Sequence, residues 1–195
     1  MAETDPRSDK TLEMAARVAT ILDELGVPCA LIGAAALAAH GYPRATIDID
    51  LAVATDPFTT LEAARRRIAG EPGVEANLTT PDSDDPLGGV LTVTGEDFDP
   101  VQVVNFLNPL SRRRNPGSEA VRTATAGAVA GSPLRLVTLP YLIALKLYAG
   151  GYKSRLDVLE LLTRNPDAQR GEIALVCADF GLENDWQEIL GELGH

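Results

Sequence analysis

The chain has 195 residues, of which 45% are hydrophobic, and this is enough to build one compact domain with a core of ordinary size. Its formal net charge of −11 excludes a protein that binds nucleic acid through a general basic field, although it leaves room for a local contact patch. The polar first residues lack the apolar segment of a secretion signal, and the longest apolar run is too short to span a bilayer. We therefore expect a cytoplasmic protein that does not contact a membrane.

Hydrophobic spacing, interrupted by glycine and proline, divides the first half of the chain into alternating helices and strands. Apolar residues at helical spacing indicate helices, and short apolar or alternating runs indicate strands. The predicted elements are a frayed tail over 1–8, helices over 9–25, 34–40 and about 57–69, and strands over 29–32, 47–54, 74–80, 89–94 and 101–106.

The second half of the chain is mostly helical. A turn over 108–117 carries three consecutive arginines, which we interpret as solvent-exposed, and residues 124–130 have no clear pattern. A short strand is predicted over 134–139, with helices over 139–149, 153–163, 167–180 and 183–193. We expect an α/β core over 9–138 and C-terminal helices over 139–195, packed together as one compact unit.

Two acidic residues, Asp48 and Asp50, stand out within the predicted strand 47–54. Residues i and i+2 of a strand share a face and lie about 6.5–7 Å apart, so the two carboxylates point the same way and Ile47, Ile49 and Leu51 the other. Carboxylates on one face of an otherwise buried strand repel each other and are costly to desolvate. A hard divalent cation relieves both costs, so Asp48 and Asp50 are candidate metal ligands.

A glycine turn precedes this strand in the sequence. Gly33 follows the predicted strand 29–32 and leads into an alanine-rich helix that begins at Ala34. A helix that starts after such a glycine can bind phosphate, because its free N–H groups point at the anion and no side chain blocks the approach. Taken alone, the turn favours close packing of the helix on a sheet.

Together these parts resemble the nucleotidyltransferase superfamily, which has the DNA polymerase β-like fold. The pattern of that family is a strand, a Gly-Gly or Gly-Ser turn into a helix, and an Asp-x-Asp strand. Gly41, Arg44 and Thr46 resemble the G-x-x-R-x-T segment of small bacterial members of the toxin-like, abortive-infection type. The helix 142–150 and the segment 153–158 are similar to the helix and the K-D-x-x-D segment that these proteins carry after the sheet.

The resemblance covers residues 10 to 165 and implies an α/β fold, with a mixed β-sheet flanked by helices and a C-terminal helical segment. It implies that Asp48 and Asp50 are catalytic and hold Mg²⁺ or Mn²⁺. It further implies a nucleotide-binding role for Gly33, Ala34, Arg44, Thr46 and Lys146. For Lys146, an ordinary lysine that extends its charge to solvent is an equal alternative.

Three positions depart from the family pattern. Ala34 replaces the second turn residue, and Ser154 replaces the first acid of the K-D-x-x-D segment. Gln102 occupies the position of the usual third carboxylate, and glutamine is a poorer ligand for Mg²⁺ and cannot act as a base. Asp99 could supply the missing acid only if Pro100 kinks the chain, and Asp157 is either an auxiliary site residue or a surface acid on an amphipathic helix.

Two functions compete at this point. The first is a Mg²⁺-dependent transfer of a nucleoside monophosphate from a nucleoside triphosphate (NTP) to an unknown acceptor, such as a tRNA, a protein or a small molecule. The second is a binding or regulatory protein with a weak or inactive site, because Gln102 replaces the third carboxylate. By resemblance to toxin–antitoxin pairs, a cognate antitoxin is an expected partner, and an exposed edge strand is a basis for a homodimer.

Overall fold

The structure, a computed structural model, describes residues 6–194 of the chain. Seven strands within this range form a single sheet. The strands are β1 (Ala30–Leu31), β2 (Ile49–Val53), β3 (Val74–Thr79), β4 (Val90–Gly95), β5 (Val101–Asn105), β6 (Thr125–Ala126) and β7 (Arg135–Leu136). The helices of the same range are α1 (Pro6–Glu24), α2 (Gly33–Ala39), α3 (Thr60–Ile68), α4 (Gly117–Thr123), α5 (Leu139–Ala149), α6 (Gly151–Arg164), α7 (Arg170–Asp179) and α8 (Glu183–Leu193).

The sheet is mixed, and β2 lies at its centre. The strand order is β3-β4-β5-β2-β1-β7-β6. Strand β2 runs parallel to β5 and antiparallel to β1, which is itself parallel to β7. The predicted fold class, a mixed sheet flanked by helices and followed by C-terminal helices, is therefore confirmed.

Both faces of the sheet are buried. Side chains alternate along β2, so Leu51 and Val53 lie on one face and Ala52 on the other. The first face packs against α1 and α3, and the second packs against α2, α4 and the C-terminal helices. Asp50 has the parity of Ala52 and therefore lies on the face that meets the C-terminal helices, as does Gln102 on β5.

Helix α1 begins earlier than predicted. Pro6 is its first residue, a position that proline favours because no partner for its missing N–H is needed there. The guanidinium group of Arg7 then donates to the Asp99 carboxylate at 2.6 Å and to two backbone carbonyls. The prediction of a frayed tail over 1–8 is therefore wrong for 6–8, and its remaining part, 1–5, lies outside the described residues.

The C-terminal half also departs from the predictions in places. Helices α5 and α8 have the predicted bounds, whereas α4 and the short strand β6 were not predicted. The predicted strand 134–139 contains only the two residues of β7, because α5 begins at Leu139 after Thr138. Within 6–194, no helix is both long enough and apolar enough to cross a membrane.

Candidate active site

Asp50 is the second residue of β2 and is fixed between the two neighbouring strands. On one side, the backbone N–H of Ile32 donates to the carbonyl oxygen of Asp50 at 2.9 Å. On the other side, Asp50 is in register with Gln102 of β5. The carboxylate of Asp50 lies against Gly33, where an added Cβ would be 2.0 Å from Oδ2. The start of α2 and the start of β5 therefore flank this carboxylate.

Asp48 lies just before β2, not inside the strand as predicted. The hydroxyl group of Thr46 donates to the carboxylate and to the carbonyl oxygen of Asp48, and this local turn delays the strand until Ile49. Ile47 is consequently 78% exposed and lies outside β2, so the prediction that it is part of the strand is wrong. Thr46 thus has a clear role in this structure, which is to hold Asp48 next to Asp50.

Burial and nearby charges shift the pKa of the Asp50 carboxyl group. Burial raises the pKa of the Asp50 carboxyl, and the neighbouring charge of Asp48 raises it further. Lys146, Arg44 and Lys153 act in the opposite direction and lower the pKa of Asp50. Three cations from separate parts of the chain therefore lie close enough to Asp50 to stabilise its charge.

A buried acid, Asp157, joins two of these cations. Its side chain is only 2% exposed, so the interpretation of Asp157 as a surface acid is wrong. The ammonium group of Lys146 donates to Oδ2 of Asp157 at 2.7 Å, and Nε of Arg44 lies 3.2 Å from Oδ1. Lys146 is 14% exposed and does not extend into solvent. The cluster attaches the loop before β2 to helices α5 and α6.

The guanidinium group of Arg44 is only partly satisfied. Its Nε atom is buried and makes no hydrogen bond, because the contact with Asp157 is close but poorly aligned. No hydrogen bond joins the other two nitrogens of Arg44 to any residue within 6–194. A planar guanidinium with available N–H donors suits two-point binding of a phosphate group.

Among residues 6–194, the structure does not bring a third carboxylate to Asp48 and Asp50. Gln102 lies beside Asp50, as the sequence predicted. Asp99 is held instead by Arg7 at 2.6 Å, and its backbone N–H donates to Thr11, so it points towards α1. No group of three or more histidine, cysteine or acidic side chains that could hold a metal occurs in the part of the chain that the structure describes.

The residues present nevertheless fit a magnesium or manganese ion. Mg²⁺ is commonly bound by one or two carboxylates, with waters and substrate phosphates in the remaining positions. Asp48 and Asp50 supply two carboxylates, and Gly33 has no side chain that would overlap Oδ2 of Asp50. A cation there would also reverse the like-charge repulsion that raises the pKa of Asp50.

We expect Gly33→Ala to lower the free energy of unfolding by about 2–5 kcal/mol, the sum of a left-handed backbone cost and an overpacking cost. Gly33 has φ +60, and its Cβ would overlap the Asp50 carboxylate. Gly26→Ala is the matched control, because Gly26 has φ +73 and open space around it, and it should cost only about 1–2 kcal/mol. Urea denaturation of both variants measures the difference, and equal costs would show that the contact with Asp50 is unimportant.

Lys153 is an exposed residue whose positive charge lies close enough to Asp50 to lower its pKa. The family resemblance places it in the K-D-x-x-D segment and assigns it no role. The signal was present in the spacing, because Lys153 and Asp157 are four residues apart and so lie on one side of α6. What the spacing did not reveal is that this side of α6 faces the start of β2.

Proteins similar to this chain were found only among solved structures. No model of a known protein family matches the sequence, and no curated protein matches it. The solution structure of the antibiotic-resistance factor ANT(2'')-Ia is 14% identical with a TM-score of 0.58, and the alignment covers 95% of this chain and 98% of that chain. The crystal structure of ANT(2'')-Ia in complex with adenylyl-2''-tobramycin is 16% identical with a TM-score of 0.53, and the alignment covers 88% of this chain and 97% of that chain.

A third similar structure is an antigenic nucleotidyltransferase-like protein from Paracoccidioides brasiliensis. It is 18% identical with a TM-score of 0.52, and the alignment covers 96% of this chain and 95% of that chain. At such identities the likeness establishes the fold and not the activity. The chain therefore has a nucleotidyltransferase-type fold over nearly its whole length.

Proposed function

We propose that this protein is a nucleotidyltransferase that moves a nucleoside monophosphate from an NTP to the hydroxyl group of an acceptor. The observation that carries the proposal is the position of Asp48 and Asp50, at one end of β2, close to the buried cluster in which Asp157 joins Arg44 and Lys146. Paired carboxylates facing clustered cations suit a metal-bound polyphosphate, because the metal meets the acids and the phosphate oxygens meet the cations.

Each residue of the site has a role in this proposal. Asp48 and Asp50 would hold Mg²⁺ or Mn²⁺, which supplies charge stabilisation on the phosphates. Arg44 and Lys146 bind and orient the triphosphate, while Gly33 and Ala34 let its oxygens approach the backbone. Asp157 holds Arg44 and Lys146 in place through its two ion pairs. The hydroxyl oxygen of the acceptor attacks the α-phosphorus, the bond to pyrophosphate breaks, and the hydroxyl proton passes to solvent.

The similar structures support the same class of reaction. One of them is in complex with adenylyl-2''-tobramycin, a compound in which an adenylyl group is joined to tobramycin. The two alignments cover 95% and 88% of this chain and 98% and 97% of the other chain, so the likeness is not limited to a short motif. We therefore favour an active enzyme over a binding protein with a degenerate site.

Nucleotide titration with and without Mg²⁺ tests the proposal directly. We expect the wild-type protein to bind at least one of ATP, CTP, GTP and UTP in a Mg²⁺-dependent manner, and we expect Asp48→Ala to weaken this binding at least about tenfold, because one of two metal ligands is lost. Calorimetry gives both affinities. Asp84→Ala is a suitable control, because Asp84 is an exposed acid of the 81–88 loop. If Asp48→Ala leaves Mg²⁺-dependent binding intact, the assigned site is wrong.

Gln102→Asp tests the importance of the missing third carboxylate. Because Gln102 is in register with Asp50, an aspartate there adds a third charge to the proposed metal site. We expect the affinity for Mn²⁺ to rise by about tenfold, since ligand charge sets the affinity of such sites. Gln102→Asn is the neutral control of matched length and should not raise it. Equal Mn²⁺ affinities for the two variants would show that position 102 does not face the metal.

The resemblance to toxin-like members adds a cytoplasmic location and a protein partner to the proposal. A cognate antitoxin, or a second copy of this chain, remains a proposal that rests on family analogy. Size-exclusion chromatography with light scattering measures the oligomeric state of the purified chain. A monomer at micromolar concentration would remove the homodimer from the proposal.

A further inference from the structure

A cavity of about 350 Å³ lies between the sheet and α5, next to the site. Val104 and Phe106 line it from the end of β5, and Leu142 and Leu145 line it from α5. Its volume and mostly apolar walls are typical of sites for small molecules. Within the described residues no other part of the chain occupies this space.

One end of the cavity opens at the proposed site of nucleotidyl transfer. Gly33 and Lys146 line this end, and they contact Asp50 and Asp157 respectively. Val104 follows Gln102 by two positions on β5 and therefore shares its strand face. A ligand in the cavity would thus extend from the end lined by Gly33 and Lys146 along β5 towards Phe106.

Hydrogen bonds hold the outer wall of the cavity in a fixed shape. This wall is formed by Pro86 and Leu87. The side-chain amide of Asn115 donates to the carbonyl oxygen of Pro86 at 3.2 Å, and that of Asn105 donates to Gly88 at 3.0 Å. The side-chain amide of Asn108 donates to Asp85 at 2.7 Å. The pocket is therefore preformed, which lowers the cost of binding a ligand.

The cavity lies beside the proposed triphosphate site and extends away from it along β5. Gly33 and Lys146, which are proposed to meet the triphosphate, line one end, and Val104 and Phe106 line the part along β5. In-line transfer needs the acceptor oxygen and the leaving pyrophosphate on opposite sides of the α-phosphorus. The part along β5 is lined by apolar side chains, which suits the uncharged body of a ligand whose reactive end lies at Gly33.

We propose that this cavity binds the acceptor, and that the acceptor is a small molecule with an apolar body and a hydroxyl group. The inference rests on the proposed function. The acceptor hydroxyl would lie at the Gly33 end, beside the α-phosphorus. Its oxygen forms the new bond to phosphorus as the bond to pyrophosphate breaks, and its proton passes to solvent. The apolar body fills the space between β5 and α5.

The charges of the lining argue against the two other acceptor classes. Among the described residues that line the cavity, Lys146 is the one that carries a charge, and none is a carboxylate. A polycation such as tobramycin would place ammonium groups beside Lys146 and against apolar walls without a counter-charge. A nucleic-acid acceptor would bring its phosphates to walls that offer little basic charge.

The test uses the fluorescent probe 1-anilinonaphthalene-8-sulfonate, whose apolar ring system suits the apolar walls of the cavity. Ala149 lines the mouth of the cavity and is exposed, so Ala149→Trp narrows the mouth without disturbing the core. Ala149→Ser is the matched control. We expect the wild-type protein and Ala149→Ser to bind the probe at least tenfold more tightly than Ala149→Trp does, with unchanged melting temperatures for all three.

Competition with the bound probe identifies the class of molecule that the cavity binds. We expect the neutral aromatic alcohol 2-phenylethanol to displace the probe, and we expect Mg²⁺ with NTP, tobramycin and bulk tRNA to leave it bound. Displacement by Mg²⁺–NTP, together with weaker NTP binding by Ala149→Trp, would assign the cavity to the nucleobase of the donor and overturn the proposal. Displacement by tobramycin or tRNA would also overturn it, as would equal probe affinity in Ala149→Trp and the wild type.

These outcomes separate this inference from the proposed function. If the probe and 2-phenylethanol compete for the cavity but no NTP binds with Mg²⁺, the proposed function fails while the small-molecule site stands. If NTP binds with Mg²⁺ but the probe experiments give one of the overturning results above, the nucleotidyltransferase assignment stands and the proposal of an apolar acceptor is wrong.

Discussion

Replacing Asp50 by asparagine is expected to lower nucleotidyl transfer by about 10²- to 10³-fold, a loss typical of removing a group that stabilises the charge of a transition state. The amide would keep the shape of the side chain but remove one of the two charges proposed to hold the metal. At the same time, the fold should keep or gain stability. Burial and the charge of Asp48 both raise the pKa of Asp50, so its ionised form is costly in the absence of a cation.

The combination of lost activity and preserved stability distinguishes a functional acid from a structural one. Activity is measured as the label that α-labelled NTPs transfer to molecules of a cell extract, and stability by urea denaturation. Asp97→Asn is the control, because Asp97 is 79% exposed and forms a surface ion pair with Lys10 at 3.2 Å. A fall in the stability of the Asp50 variant by more than about 1 kcal/mol would identify Asp50 as a structural acid.

The architecture was largely predictable because local patterns determine it. Alternation along β5 and helical spacing in α5 and α8 gave elements close to those observed. The resemblance to the nucleotidyltransferase superfamily, which rests on the glycine turn and the two acids, then implied the mixed sheet. Short elements were predicted poorly, because β6 and β7 have two residues each and form only by pairing with neighbouring strands.

Contacts between distant parts of the chain were not predictable in the same way. Asp48 was expected inside the strand because alternation continues through it, but the hydroxyl of Thr46 competes for local hydrogen bonds and delays β2. Asp99 faces α1 because Arg7 lies far from it in sequence but next to it in space. Pairs of residues that are distant in sequence leave no periodic pattern from which they could be predicted.

The burial of Asp157 shows this limit most clearly. Its helix, α6, has an amphipathic pattern on which an acid normally lies in solvent. Its partners, Arg44 and Lys146, come from a loop and from α5, so only the assembled fold brings the three together. The family resemblance identified all three positions but not that they form one cluster.

Replacing Asp157 by alanine is expected to lower the free energy of unfolding by about 3–5 kcal/mol, the cost of leaving a buried charge without its partner. Lys146 and Arg44 would remain at 14% and 21% exposure with no carboxylate between them. Glu160→Ala is the matched control on the same helix. Glu160 forms an exposed i,i+4 pair with Arg164 at 3.2 Å, and such pairs contribute only about 0.3–0.5 kcal/mol.

A double-mutant cycle separates the ion pair from simple loss of packing at Asp157. With Lys146→Ala added to Asp157→Ala, one uncompensated cation remains instead of two, so the double variant should be more stable than the sum of the single losses predicts. We expect a coupling energy of about 1–3 kcal/mol, in the range for residues that share one charge network. The corresponding cycle for Glu160 and Arg164 should give less than about 0.5 kcal/mol. Additive losses at Asp157 and Lys146 would show that Asp157 acts through packing, and that it does not position Lys146 for the triphosphate.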